Sequence, residues 1–316
     1  MWTKAAAAAF FACRPRRSAA VAALATGLAL AAAPAQADVL RACDAGRPAT
    51  LAQQSKLLRL ADHVRRALNA HGTGVALVAR SGTNLSYVGL RYSHAGFALR
   101  DSPAAPWAVR QLYFACEEGV PRLFDQGLSA FLLGADDADL GYLSVLLLPP
   151  EAARVVEAAA LDRARALHLL HPRYSANAHA FDTLYQNCNQ WVAELLAQAF
   201  GAPTAPQPLQ ARQQAQAWLQ AQGYQPTRVH AGAALMLAAA FVPWVHRDDH
   251  PEADLQAGVF NVSMPDSLAA LVQQQVPGTQ RLEFCHNTRH LLLRRNGPPI
   301  AEGCEAAAGD EVWPVD

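Results

Sequence analysis

The sequence predicts an α+β protein in which an antiparallel meander comes first and helices surround it. Two kinds of pattern support this class: short apolar or alternating runs that suit strands, and longer runs with helical spacing. The 26 Lys and Arg residues balance the 26 Asp and Glu residues, and no long basic run follows residue 37. We therefore expect no nucleic-acid partner, because the chain lacks the excess of basic residues that binds phosphates.

The first 37 residues have the pattern of a cleavable signal peptide. Basic residues come first, an uncharged run of Ala, Leu and Val follows, and Ala35-Gln36-Ala37 is a small-x-small cleavage site. We therefore expect a periplasmic or secreted protein that begins at Asp38. The pair Arg16-Arg17 leaves twin-arginine export open beside the general route.

A helix and a meander of three strands are predicted next. Apolar residues recur at helical spacing from Leu51 to Ala70, and Gly72 follows them. Apolar and alternating runs then predict three strands, at 75–79, 90–100 and 107–114. On the second strand, alternation places one set of side chains on a common face: Tyr92, His94, Gly96 and Ala98.

A further strand at 140–148 is the most apolar, and Pro149-Pro150 stops it. Pro150 also suits the first turn of a helix that runs to about Leu170. The next predicted helix is Cys188–Phe200, and the predicted catalytic core spans residues 38–205.

The region 206–316 is predicted to fold onto the same domain as the core. It contains a Gln/Ala-rich helix and strands at 281–285 and 291–295. Its apolar segment Ala231–Val245 is shorter than the ~20 residues of a membrane-spanning helix, so a buried helix is expected there and no membrane span in the mature chain.

Five cysteines follow the leader. An odd number in an oxidising compartment predicts two disulfides and one free thiol. The sequence leaves the connectivity open. We favour the pairs Cys43–Cys116 and Cys285–Cys304, because the surroundings of Cys188 suit a free thiol.

Cys188 is the candidate nucleophile. Asn187 is a good N-cap, which places Cys188 in the first turn of its helix, where unpaired N–H groups and the helix dipole stabilise a thiolate. The apolar stripe of that helix begins at Cys188, so the thiol should face the sheet. The alternative is a small buried hydrophobe or half of a disulfide.

His94 is the candidate general base. It lies in mid-strand, where a histidine needs a partner, and the small residues Ala95 and Gly96 leave room for a substrate or a helix to approach. The alternative is a histidine that is hydrogen-bonded to a backbone carbonyl.

His94 and Cys188 lie in stretches that resemble two groups of proteins. Ser93–Gly96 on a strand followed by Asn187–Asn189 opening a helix resembles the circularly permuted branch of the papain-like and NlpC/P60 hydrolases, which includes amidases, isopeptidases and acyltransferases. Most of the mature chain also resembles an uncharacterised bacterial family catalogued as domain of unknown function 2145. The stretches that carry this second resemblance are 91–100, 110–113, 122–127 and 185–195.

The permuted hydrolases imply further site residues. Their imidazole is oriented by a polar side chain of the strand after the histidine, which here indicates Gln111, with Asp125 and Glu118 as competitors or as solvated turn residues. The oxyanion would be held by the backbone N–H of Cys188, beside two side chains: Asn187 and Tyr92. Tyr92 has the alternative of simply packing on the sheet.

These observations predict an exported cysteine hydrolase or acyltransferase that acts on an amide or ester bond. We expect no cofactor, and a cell-envelope substrate of peptide, cell-wall or lipid chemistry. No metal site is expected, although His246 with His250 and His286 with His290 have the four-residue spacing that some metal sites use. The competing class is a non-catalytic binding module that keeps the fold.

Overall fold

The computed structural model describes residues 49–116, 118–135, 137–232, 236–237 and 242–315. The predicted signal peptide, Cys43 and much of the segment 231–245 lie outside these residues. The end of that segment, 242–245, forms a turn instead of continuing the expected helix.

An eight-stranded antiparallel sheet forms the centre of the described chain. It has the spatial order β10-β9-β8-β5-β1-β2-β3-β4, and every neighbouring pair is antiparallel. The remaining two strands, β6 and β7, form a separate ribbon. The bounds in chain order are β1 Val75–Arg80, β2 His94–Leu99, β3 Ala108–Ala115, β4 Val120–Gln126, β5 Gly141–Leu147, β6 Thr227–His230, β7 Val259–Val262, β8 Gln280–His286, β9 His290–Arg295 and β10 Glu311–Pro314.

Eight α-helices occur in the described residues, and a short 3-10 turn spans Ser86–Val88. The α-helix bounds are α1 Leu51–His71, α2 Leu128–Leu133, α3 Pro150–Leu161, α4 Arg163–His168, α5 Cys188–Phe200, α6 Pro208–Ala221, α7 Glu252–Gln256 and α8 Pro265–Gln275. None of the described helices is long and apolar enough to cross a membrane.

The first helix has the ends that its sequence predicts. Thr50 and Gln53 form a capping box, each side chain bonding the other's backbone N–H. Gly72 closes the helix in the left-handed region with φ 86°, which glycine adopts without strain.

The helix expected from Pro150 to about Leu170 is instead two helices. Asp162 leaves the helical conformation with ψ 96°, and its side chain accepts a hydrogen bond from Arg165 N at 3.0 Å. Asp162 therefore ends α3 and caps α4, since a short acidic side chain competes with the helix ladder.

Helices cover both faces of the sheet. The face that carries Ala95 and Phe97 packs against α3, α5 and α8, and the face that carries Ala98 packs against α1 and α2. On the first of these faces, the rings of Phe97 and Trp191 of α5 are in contact, with 6.0 Å between their centroids.

The second strand is shorter than expected, because it begins at His94. Tyr92 precedes it and packs with Ala79 and Ala95, on the face opposite to His94. The expectation that Tyr92 and His94 share a face is therefore wrong, because strict alternation applies only within the strand.

The C-terminal region completes the sheet, since β8 pairs directly with β5. The predicted disulfide Cys285–Cys304 is confirmed and ties β8 to the segment after β9. Cys116 is also disulfide-bonded, although its expected partner Cys43 lies outside the described residues. Cys188 is a free, buried cysteine.

Candidate functional site

Asn187 caps α5, as its sequence position predicts. Its Oδ1 accepts a hydrogen bond from Gln190 N at 2.7 Å, and its amide nitrogen lies 3.4 Å from Ala176 O. Cys188 is the first residue of the helix and is only 8% exposed. Because Asn187 is occupied as a cap, the backbone N–H groups at this helix start remain the main donors near the thiol.

A buried ion pair holds α5 in place. Glu194 and Arg212 of α6 are 0% and 1% exposed, and Arg212 Nε lies 2.9 Å from the carboxylate. The remaining guanidinium nitrogens donate to Thr183 O and Tyr185 O, each at 2.9 Å. Gln186 also donates to Glu194, at 2.6 Å. The network therefore fixes the loop that leads into Cys188.

Tyr174 is a site residue that the sequence analysis missed. Its backbone forms a parallel bridge with Gln186, and its ring stacks on Phe114 with 4.9 Å between centroids. From this position the Tyr174 hydroxyl hydrogen-bonds the Cys188 thiol. The stretch around Tyr174 has no periodicity, so no local pattern indicates this contact.

Burial keeps the Cys188 thiol protonated. Burial raises the pKa of this thiol to about 11, and it outweighs four influences that lower the pKa. Those influences are the backbone N–H groups of Asn189 and of Cys188 itself, the Arg80 charge and the Tyr174 hydroxyl. The expected helix-terminus effect is present, but it is smaller than the cost of desolvating a thiolate.

The structure brings Gln111 to His94. Nε2 of the imidazole and Oε1 of Gln111 lie 2.5 Å apart, and the Gln111 amide nitrogen donates to Gln126 at 2.6 Å. The two competitors are occupied elsewhere: Asp125 pairs with Arg110, and Glu118 pairs with Arg122.

His94 is neutral in this environment. Burial and the nearby Arg80 charge lower the pKa of the imidazole to about 3, while the Gln111 hydrogen bond opposes them. The ring also faces Phe131 of α2, at 6.1 Å between centroids. A neutral imidazole with one nitrogen oriented by Gln111 has its other nitrogen available to accept a proton.

Cys188 and His94 lie on different faces of the sheet. His94 points toward the layer of α2, whereas α5 covers the opposite face. The β2–β3 pairing runs from Leu99–Ala108 to Phe97–Arg110, and His94 lies beyond its end. The two segments meet through Asn189, whose amide donates to Ser93 O at 3.1 Å.

In the described chain no hydrogen bond joins Cys188 to His94, so the two groups are not a formed pair. Both nevertheless respond to the same guanidinium, because Arg80 lowers the pKa of each. Both groups therefore lie within the electrostatic field of Arg80.

Two expectations are corrected: that Gly96 leaves space for a substrate, and that the Tyr92 hydroxyl donates to the oxyanion. A Cβ on Gly96 would lie 2.8 Å from Arg110 O and 2.7 Å from Val109 Cγ1, so β3 fills the space expected for a substrate. The Tyr92 hydroxyl is bonded to Glu283 at 2.6 Å, which gives Tyr92 a structural partner away from the thiol.

The two pairs of histidines contact residues other than Cys188 and His94. His246 stacks on Tyr185, and His250 contacts Asn177 O at 2.9 Å. His286 ends β8 and His290 begins β9, so this pair belongs to a hairpin and not to a helix face. Among the described residues, no group of three or more His, Cys, Asp or Glu is arranged to hold a metal ion.

The fold and site define an α+β protein with one large antiparallel sheet, helices on both faces and a free buried thiol at the start of a helix. The family model described as "Uncharacterized protein conserved in bacteria (DUF2145)" matches residues 67–272, and the chain belongs to this family. The match includes His94, Gln111, Tyr174 and Cys188. No curated protein and no solved structure matches the chain.

Proposed function

We propose that the protein is an exported cysteine hydrolase or acyltransferase that acts on amide or ester bonds of the cell envelope. Cys188 is the nucleophile, His94 the general base, and Gln111 the residue that orients the imidazole. The three disulfide-bonded cysteines of the described chain, Cys116, Cys285 and Cys304, support an oxidising compartment.

One observation carries the proposal: the only cysteine in the described chain that is free sits at a helix N-terminus with three hydrogen-bond donors directed at its sulfur. Such donors stabilise negative charge, first on the thiolate and then on a tetrahedral oxyanion. An imidazole held by Gln111 follows Ser93, whose carbonyl accepts a hydrogen bond from Asn189, the residue after Cys188.

The proposed reaction has two halves. The Cys188 proton moves to the nitrogen of His94 that Gln111 does not use, and the sulfur attacks the carbonyl carbon. The C–N or C–O bond then breaks, and the leaving group takes the proton from the imidazolium. Water or an acceptor alcohol or amine next attacks the thioester, and the thiol is regenerated.

The resting site is a neutral pair and not a thiolate–imidazolium pair. The pKa values of about 11 for Cys188 and about 3 for His94 differ by roughly eight units. Moving the proton from Cys188 to His94 in this closed state is therefore strongly unfavourable. Catalysis therefore requires water or substrate to reach Cys188 and His94 and solvate the developing charges.

The second candidate is a non-catalytic binding module that keeps the fold. The same neutral pair and the lack of a direct Cys188–His94 hydrogen bond in the described chain favour it. In that case the thiol and the imidazole stabilise the interior and no acyl group transfers.

Acyl trapping with p-nitrophenyl acetate separates the two functions. The purified protein is incubated with the ester at pH 7.5, release of p-nitrophenolate is followed, and the acetylated residue is located by peptide mass. The hydrolase proposal expects a Cys188 acetyl adduct that turns over. It also expects His94→Gln to slow acylation by about 10²–10⁴-fold, the usual contribution of a general base.

His230→Gln is the matched control, since His230 is exposed on β6 and lies in the separate ribbon. It should acylate at the wild-type rate. Adduct formation that is equally slow in wild type and His94→Gln, with both proteins folded, would reject the base role and favour the binding module.

A further inference from the structure

A cavity lies between the sheet and α8. Its volume is about 430 Å³, within the range of roughly 300–1,000 Å³ of small-molecule sites. Its floor is apolar and is formed by Leu77, Ala79, Ala95 and Leu146. Neither Cys188 nor His94 lines it.

Opposite charges face this cavity from opposite walls. Asp266 projects from the first turn of α8, and Arg281 lies near the start of β8. Among the described residues the Asp266 carboxylate makes no hydrogen bond or ion pair. The two side chains influence each other electrostatically without forming a direct ion pair. A gap between opposite charges suits a ligand that bridges them.

The nearby Glu283 cannot serve as the acidic end of such a site. Its carboxylate already receives Tyr92 OH at 2.6 Å, Arg91 at 3.0 Å, Ile300 N at 2.9 Å and Arg281 at 3.0 Å. These four partners saturate its lone pairs. Asp266 is therefore the acidic side chain of the cavity that can bind a cation.

Arg281 retains capacity for an anion. One of its nitrogens contacts Glu283, while a guanidinium carries five N–H donors. Arg281 therefore supplies a positive group on this wall, and Asp266 supplies a negative group on the α8 wall. Asp266 lies at the exposed rim of the cavity, and partial desolvation there raises the pKa of its carboxyl, while the Arg281 and Arg91 charges oppose this shift.

We propose that this cavity binds a small zwitterion with an apolar body, of the class of apolar α-amino acids. The amine lies at Asp266, the carboxylate at Arg281, and the side chain on the apolar floor. This site goes beyond the proposed function and does not require Cys188.

Isothermal titration with L-leucine and two truncated probes tests the site. L-leucine methyl ester keeps the cation and loses the anion, and 4-methylpentanoate keeps the anion and loses the cation. We expect L-leucine to bind with one-to-one stoichiometry and each truncated probe to bind at least tenfold more weakly, because a charged hydrogen-bonding partner is lost at one end.

Variants locate the binding. Asp266→Asn should weaken L-leucine at least tenfold and leave 4-methylpentanoate unchanged, whereas Arg281→Gln should weaken L-leucine and leave the ester unchanged. Asp101→Asn, an exposed acid remote from the cavity, and Cys188→Ser should bind L-leucine like wild type. Thermal melts confirm that each variant is folded.

Four results overturn the proposal, and three of them concern the probes and Asp266. They are no heat of binding with millimolar L-leucine, equal affinity for L-leucine and its ester, and binding that Asp266→Asn leaves unchanged in a folded protein. Loss of binding in Cys188→Ser would instead place the ligand at the thiol and also overturn it.

Discussion

The reactivity of Cys188 toward iodoacetamide follows from its burial. The thiolate is the reactive form, and burial raises the thiol pKa from 9.0 to about 11. At pH 8 an ordinary thiol of pKa 9.0 is about 10% thiolate, whereas a thiol of pKa about 11 is about 0.1% thiolate. Folded Cys188 should therefore react at least ~100-fold more slowly than the same cysteine in urea, since restricted access slows it further.

The assay follows alkylation of Cys188 by peptide mass from pH 7 to 11, in the folded protein and in urea. The rate in urea should level off near pH 9, and the rate in the folded protein should keep rising about tenfold per pH unit to about pH 11. Tyr174→Phe should lower the folded rate a further 2- to 10-fold, because one hydrogen bond to the thiolate is lost.

Tyr87→Phe is the control, since Tyr87 is 66% exposed and lies on the surface. Rapid alkylation of folded Cys188 at pH 6 to 7 would refute the reasoning. It would mean that the thiol is solvated or paired with an imidazolium, and that the neutral pair is not the resting state.

Three further perturbations have defined outcomes. Arg212→Met should lower the free energy of unfolding in urea titrations by about 3–5 kcal/mol, because it leaves Glu194 charged and buried. Adding Glu194→Gln should restore part of this free energy. An equal or greater loss in the double variant would contradict this expectation. Gly96→Ala should lower the free energy of unfolding by about 1–3 kcal/mol, measured the same way, because the new Cβ meets Arg110 O at 2.8 Å. An unchanged midpoint of the urea titration would show that β3 moves aside without cost. Because the pKa of His94 falls from 6.5 to about 3 on folding, its contribution to stability is complete above about pH 6.5 and is lost as pH falls toward 3. His94→Gln should reduce the pH slope of unfolding free energy in that window by about 1.4 kcal/mol per unit, and an unchanged slope would mean that His94 is solvated.

Local patterns predicted much of the secondary structure. The ends of α5 were evident from Asn187 and Gly201, and the apolar run of β5 marked a strand at the sheet centre. Short elements such as β4 and β10 were not predicted, because their residues are largely exposed and show weak alternation. The break at Asp162 was also missed, since a single capping side chain outweighs a continuous helical pattern there.

For the candidate site, the sequence by itself determined the types of residue and their local settings. A capped first-turn cysteine, a strand histidine and a following glutamine are all properties of short segments. Only the tertiary structure decided how these segments meet. Three features depend on residues far apart in the chain: the Gln111 amide at His94, the Tyr174 hydroxyl at Cys188 and the Arg80 charge near both groups. The same packing sets the protonation of the site, because desolvation depends on what surrounds a group in three dimensions and not on its neighbours in sequence.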